Sequence, residues 1–518
     1  MSWLLRRFDA VAVARPHAVA CRSCKRDMTY GELHEKSRRL ASWLEREVAN
    51  GCPVAIRGQK EPEMLAGFLG AMRARRPYIP IEDGLPQSRE QQILALSGAA
   101  LTLTPADIER ICGQEATPRQ GIVHETDPGL AAYCMFTSGS TGAPRGVVIS
   151  HRCLEAFASG MLAVLCGSDP CRNEVVLNQT PFAFDFSVMD IWLALLSGGT
   201  LVGLSRPEIE HPSTMHEILR SSGVTTWIST PSFVHMCLAE RSFGPQSLKH
   251  VRRLILGGEA LPPTVARQVM TRFASQELWN AYGPTEATVI CAMGRVEPWM
   301  IDRLPSIPIG EALPGTWIGV MDETGRVLGD NEPGEIVIAG PNVSPGYLRP
   351  SAQGTAQASA QGNASDELGA HGGDRSPMTV DRPSDCFFTF DGQPAYRTGD
   401  RGHRHDGQLL YDGRMHGMVK IRGNRIEPGD VEVNLARLPG VSGAVVVVRN
   451  GPPAWLLGYV VPDGALPTND LELSTNLRMQ LAEKLPAYMI PRRIVFVSTF
   501  PVNANGKIDR TFLASAPL

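Results

Sequence analysis

What this 518-residue chain lacks narrows its function first. No apolar run reaches the roughly 20 residues that a bilayer-spanning helix needs, so membrane insertion is not expected. Charge is nearly balanced, 50 Lys plus Arg against 53 Asp plus Glu for a net −3, and no basic footprint points to nucleic acid. Cys21 and Cys24 form one CxxC, but no second Cys or His pair follows at the spacing of a structural zinc site. The 11 scattered cysteines read as free thiols in a reducing cytoplasm. The opening MSWLLRRFDAVAVARPHAVAC has an apolar stretch of only Ala10–Ala14, ended by Arg15, Pro16 and His17. It is expected to be a mature N-terminus, not a secretion signal.

What is present predicts an α/β protein of more than one domain. Residues 33–47 have helical spacing, 53–58 read as a buried strand, 61–76 as a helix and 77–81 as a strand. Further apolar runs at 174–180, 225–231, 252–258 and 277–283 each end in small or turn-forming residues, so loops at strand ends are expected to carry the site. Residues 351–386 are rich in Ala, Gly, Ser, Gln and Asp, which predicts a mostly flexible surface insertion. After Arg414, VKIRGNRI, AVVVVR and LLGYVVP read as strands and 471–485 as an amphipathic helix, a small α+β domain with its own core. The expected boundaries are 1–413 for a large region of parallel or mixed sheets flanked by helices, and 414–518 for the small domain.

The strongest single motif is TSGSTG (137–142) between two apolar strands, followed by Pro144, Arg145 and Gly146. Gly139 and Gly142 let backbone N–H groups converge on an anion, and Thr137, Ser138, Ser140 and Thr141 add hydroxyl donors. Arg145 adds a fixed positive charge. The Walker spacing is absent and a strand follows where a P-loop would open a helix.

This loop resembles the phosphate-binding signature of the adenylate-forming superfamily, which includes acyl-CoA synthetases, luciferase and the adenylation domains of nonribosomal peptide synthetases. The other motifs occur in that family's order: FAFDFSVMDIW (182–192), LILGGEALP (254–262), NAYGPTEATV (280–289), GEIVIAG with GYL (334–348), YRTGD (396–400), GRMHGMVKIRGNRIEPGDVE (413–432) and NANGKIDR (503–510). The likeness runs from MTYGEL (28–33) to the C-terminus. It implies a large core plus a small domain on a hinge, with ATP and Mg²⁺ as cofactors. Gly258, Glu259, Asn280, Ala281, Tyr282, Gly283, Pro284 and Thr285 would line the nucleotide, with Tyr282 stacking on the purine and Thr285 donating to the α-phosphate. Glu286 is suited to Mg²⁺, which takes few carboxylates plus phosphate oxygens. Asp400 would accept both ribose hydroxyls, with Tyr411 and Arg414 beside it. Lys507 would neutralise charge at the α-phosphate as the substrate carboxylate attacks. The hinge acid of the family pattern is replaced here by His416, and Gly417 adds backbone freedom.

Asp185 lies between Phe184 and Phe186 in an apolar run, and a buried carboxylate calls for a cationic partner. In amino-acid-activating members the matching Asp pairs with the substrate ammonium. The closest subgroup resembles the D-alanine–carrier protein ligases. By position the pocket would comprise Asp185, Phe186, Met189, Ser229, Ile255, Gly257, Ala281, Val289 and Ile290, which suits a small or medium neutral amino acid such as Ala, D-Ala, Ser or Thr. That subgroup usually has Cys where this chain has Gly257, and the missing side chain is expected to enlarge the pocket. The resemblance thus implies ATP-dependent adenylation of an amino acid, then thioester transfer to the phosphopantetheine arm of a carrier protein supplied in trans, in cell-wall D-alanylation or the assembly of a peptide natural product. An acyl- or aryl-CoA synthetase, or a non-catalytic nucleotide-binding regulator, are the alternatives.

Overall fold

A computed structural model describes the chain except residues 1, 24–25, 115–126, 139–143, 168–173, 275, 350–377, 416–418, 450, 452–453, 464–469, 502–507 and 518. It separates into two compact units. The larger holds Met1–Asp83, Leu94–Met135 and Gly146–Gly413, and the smaller holds Gly84–Ile93, Phe136–Arg145 and Arg414–Leu518.

Local chemistry sets the elements of the larger unit. The helix Tyr30–Glu47 begins three residues before the periodicity indicates, because Thr29 and Glu32 form a reciprocal capping box. The helix Pro62–Arg73 opens on proline and stops before Arg75, whose φ of 59° cannot continue it. A helix at Trp3–Ala14, capped by Ser2, occupies the opening stretch that is expected to be a mature N-terminus. It buries Leu4, Leu5 and Phe8.

Among the described residues the largest sheet has nine strands. From one edge they are Glu311–Ala312, Ala292–Arg295, Glu277–Tyr282, Arg253–Gly257, Thr226–Ser229, Val175–Asn178, Thr200–Gly203, Val19–Arg22 and Asp27–Thr29. The strands from Glu277–Tyr282 to Val19–Arg22 run parallel, and both edges are closed by antiparallel pairings. A second sheet contains the strands Val54–Gly58, Tyr78–Glu82, Ala131–Ser138 and Pro144–Ser150, and a third is built on Gly334–Ala339 and Gln393–His405. The helix Phe186–Ser197 has every residue buried, so it is a core helix with no solvent face. The expected mixed α/β architecture is what the chain adopts.

In the smaller unit, Val441–Arg449 and Trp455–Pro462 pair antiparallel, and Arg493–Phe496 joins the second strand in parallel. The helices Pro428–Ala436 and Asp470–Ala482 supply Val431, Leu435, Leu477 and Leu481 to a core with Val446, Leu456 and Ile494. Most of the expected insertion, 351–377, lies outside the described residues; its last part includes the strand Val380–Asp381, which pairs with Gly346–Leu348.

Among the described residues, no helix is long and apolar enough to cross a membrane, and no group of three or more His, Cys, Asp or Glu is placed to hold a metal ion. Cys21 is buried and free, while Cys24 lies outside the described residues. Cys166 departs from the expectation of free thiols, since it is disulfide-bonded.

Candidate active site

Three neighbouring parallel strands of the large sheet end in step. Register pairs Ser229 with Leu256 and Gly257 with Ala281, so the loops after Ser229, Gly257 and Tyr282 leave the sheet side by side. That crevice beyond the carboxyl ends of parallel strands is where α/β sheets bind ligands. The N-terminal part of the helix Phe186–Ser197 faces it. Phe186, Met189, Ser229, Ile255, Ala281, Val289 and Ile290 are all buried there.

Gly257 does not open this pocket. A Cβ at that position would lie 2.5 Å from the Ala281 carbonyl oxygen and 2.8 Å from Cζ of Phe186. The space left by the missing side chain is already taken by the Ala281 carbonyl and the Phe186 ring, so the expected enlargement does not occur. Glycine is instead required for a close approach. Beside it, Gly258 has a φ of 78° and Glu259 accepts the Ser232 N–H at 3.1 Å.

The segment after Tyr282 is tightly folded. Pro284 precedes a single 3₁₀ turn at Thr285–Ala287, after which Thr288 and Val289 have φ of 58° and 69°. For a β-branched residue this is costly, about 1–3 kcal/mol. The strain is held by Thr288 Oγ1 donating to the Asn342 carbonyl at 2.7 Å and by Asn342 Nδ2 donating to the Ala287 carbonyl at 3.1 Å. Asn280 Nδ2 donates to the Pro308 carbonyl at 2.7 Å, so its amide secures the strand end.

Tyrosine hydroxyls hold two carboxylates here. Tyr347 donates to Glu286 Oε1 at 2.8 Å, with the Tyr396 hydroxyl 3.4 Å from that of Tyr347. Tyr282 donates to Asp400 Oδ2 at 2.5 Å, and the rings of Tyr282 and Tyr411 lie 6.4 Å apart. The Asp400 backbone N–H donates to Thr398 Oγ1 at 3.0 Å. Glu286 is fully buried and Asp400 nearly so, which a solvated turn acid would not be.

Asp185 occupies the N-cap position of the helix Phe186–Ser197 with a helical φ of −59° and makes no capping hydrogen bond. It is 6% exposed. Burial, then the charges of Tyr78 and Asp185, push the phenol of Tyr133 far above its ordinary range.

The structure therefore brings Asp185, the apolar pocket, Tyr282, Glu286, Asp400 and Tyr411 together in the larger unit. Thr137 and Arg145 belong to the smaller unit, where Thr137 Oγ1 donates to the Arg145 carbonyl at 3.4 Å, and Arg414 is also in that unit. Ser138 ends a strand. Gly139, Ser140, Thr141, Gly142, His416, Gly417 and Lys507 lie outside the described residues. Tyr347, Lys60 and Asp190 also take part in buried contacts, although no motif singles them out. Asp190 carried a usable signal, as the one ionisable residue in the helix FSVMDIWLALLS.

Comparison with known families decides the kinship. Residues 8–348 match the AMP-binding enzyme family and 430–507 match its AMP-binding enzyme C-terminal domain. The chain belongs to the AMP-binding enzyme family. It is 37% identical over 529 residues to a protein of Bacillus velezensis named D-alanine--D-alanyl carrier protein ligase, covering 98% of each chain. A ligase of the same name from Bacillus licheniformis is 35% identical, again over 98% of each chain. Among solved structures, the Vibrio cholerae adenylation domain AlmE in complex with glycyl-adenosine-5'-phosphate has the same fold at 20% identity, with a TM-score of 0.79 over 99% of this chain and 97% of that one. An AMP-binding enzyme uses ATP, and the residues from Asp185 to Ile290 described above lie inside the larger matched region, while Asp400 and Tyr411 follow it.

Proposed function

We propose that this AMP-binding enzyme activates a small neutral amino acid, with D-alanine the first candidate, and passes it to the phosphopantetheine thiol of a separate carrier protein. The observation that carries this reading is Asp185. It is a buried carboxylate at the head of a core helix beside an apolar pocket, relieved of capping duty and suited to a substrate ammonium. The 37% identity to a ligase named for D-alanine and its carrier protein supports the same class. Because the Ala281 carbonyl and the Phe186 ring stand against Gly257, the glycine adds no room to the pocket, which keeps a small side chain the first candidate.

In the first half-reaction a carboxylate oxygen of the amino acid attacks the α-phosphorus of ATP. The new O–P bond forms as the bond to the bridging oxygen breaks and pyrophosphate leaves. The acid is already ionised at neutral pH, so no base is needed, and positioning with charge stabilisation does most of the work. Tyr282, Tyr411 and Asp400 hold the adenosine, while Thr137, Ser138, Gly139, Ser140, Thr141, Gly142, Arg145 and Lys507 serve the phosphates. Glu286 suits Mg²⁺: it is a hard oxygen donor whose carboxylate is oriented by Tyr347, the outer-shell support that ligating carboxylates have. Mg²⁺ bound there would neutralise phosphate charge. In the second half-reaction the carrier thiolate attacks the acyl carbon and AMP leaves. Residues 414–518 act as the mobile domain, turning at His416 between the two steps. ATP and a reduced carrier thiol are both supplied in the cytoplasm, where we place the reaction.

ATP–pyrophosphate exchange over the proteinogenic amino acids, D-Ala and β-Ala tests the reading. Exchange strongest with D-Ala or another small neutral amino acid is expected. Exchange with simple carboxylic acids in place of amino acids would move the chain to the acyl-CoA synthetases, and ATP binding without exchange would make it a regulator.

A further inference from the structure

Outside the catalytic crevice, the larger unit buries a lysine and a carboxyl group against one stretch of backbone, with a second, half-buried carboxyl group nearby. Lys60 follows the strand Val54–Gly58 and is 7% exposed. Its Nζ donates to Asn178 Oδ1 at 2.6 Å and to the Thr180 carbonyl, and lies 4.4 Å from the centre of the Phe182 ring. Asp190, on the helix Phe186–Ser197, is fully buried. Its Oδ2 accepts Asn178 Nδ2 at 2.7 Å and Thr180 Oγ1 at 3.2 Å. Glu82, half-buried at the end of the strand Tyr78–Glu82, is close enough for its charge to act on Lys60. The Phe182 ring also meets Phe68 edge-on at 5.4 Å.

Burial first lowers the Lys60 ammonium and raises both carboxyl groups, and the attraction between Lys60 and each carboxyl offsets part of that. Ionisable groups sunk this deeply cost stability unless geometry is fixed around them. Here the fixed object is the stretch 178–182. Three residues further on stands Asp185. The connection is short and hydrogen-bonded: Phe184 N–H donates to the Pro181 carbonyl at 3.0 Å, and Ser187 Oγ to the Phe182 carbonyl at 3.4 Å. Asp190 also lies on the helix that Asp185 opens, so Lys60 and Asp190 secure the carboxylate from both sides along the chain.

We propose that Lys60 and Asp190 are positioning residues that brace the stretch Asn178–Phe182 and thereby aim Asp185 at the amino group of the substrate. This rests on the reading of Asp185 as ammonium anchor. A misplaced anchor weakens amino acid binding while leaving the nucleotide side intact, and displacements near 1 Å at such groups are costly.

The test uses the full chain with the substitutions Lys60→Met and the near-isosteric Asp190→Asn. In ATP–pyrophosphate exchange, the amino acid KM should rise about tenfold in each, with the ATP KM and kcat within about twofold of wild type. Unchanged amino acid KM in Asp190→Asn, or an equal rise in both KM values, overturns the inference; Asp190→Asn decides alone if Lys60→Met does not fold. Hydrogen exchange provides a readout independent of turnover. Backbone amides of 178–188 should exchange faster in the variants while those of Arg253–Gly257 keep their protection, and unaltered protection at 178–188 also overturns it. Wild-type enzyme that exchanges with no amino acid refutes the anchor reading instead, and the amide measurement still decides whether the brace exists.

Discussion

Asp185 and Asp190 lie five residues apart on one core helix, and both are buried. Their surroundings differ. Asp190 has donors from Asn178 and Thr180 and an ammonium nearby, all supplied by the protein. Asp185 stands at the helix start beside the apolar pocket and does not even cap its own helix. Burial alone therefore does not identify a functional carboxylate. What separates the two is position: Asp190 sits mid-helix with donors from Asn178 and Thr180, whereas Asp185 stands at the helix start, where we propose that it meets the substrate ammonium.

The largest effect should come from breaking that distinction at the ligand end. Asp185→Ala should lower kcat/KM for the amino acid at least ~100-fold, the scale of losing a close charge-assisted contact. ATP binding measured by calorimetry should survive. A variant that turns over within twofold of wild type would place Asp185 with Asp190 as a purely internal acid.

A smaller effect is expected at Gly257, where the pocket wall meets the same helix. Gly257→Cys introduces a Cβ against the Ala281 carbonyl and the Phe186 ring. Overpacking of this kind typically costs about 1–3 kcal/mol, and the amino acid KM should rise several-fold. Adding Phe186→Leu removes the ring and should recover much of that loss, because the two side chains compete for one space. Additive losses in the double variant would show that Gly257 serves the backbone of Ala281 and not the fit of Phe186.

Much of the layout was legible because it depends on short-range patterns. Alternating strands and helices announce an α/β core, and the ordered motifs single out Tyr282, Glu286 and Asp400, of which Tyr282 and Asp400 share a hydrogen bond. The supporting contacts were not legible for a physical reason. Tyr347 reaches Glu286 across 61 positions and Lys60 reaches Asn178 across 118, and no local periodicity encodes such pairings. A glycine read in one dimension suggests empty space at Gly257, whereas the neighbours that occupy it, the Ala281 carbonyl and the Phe186 ring, lie on other elements. Thr288 and Val289 show the same limit, since nothing in their identity foretells positive φ.

The smallest effect belongs to the nucleotide end. Tyr282 donates to Asp400 at 2.5 Å, yet Asp400 is also the proposed ribose acceptor. A carboxylate has two oxygens and about four acceptor sites, so accepting from Tyr282 does not by itself bar a diol. If the hydroxyl orients Asp400, Tyr282→Phe removes one hydrogen bond worth about 0.5–1.5 kcal/mol and should raise the ATP KM about threefold. The stacking ring is kept, so the amino acid KM should not change. If the hydroxyl instead competes with ribose, the ATP KM should fall. The sign of that shift therefore separates an orienting tyrosine from a competing one, and a parallel change in the amino acid KM would show that the two ends of the crevice are coupled.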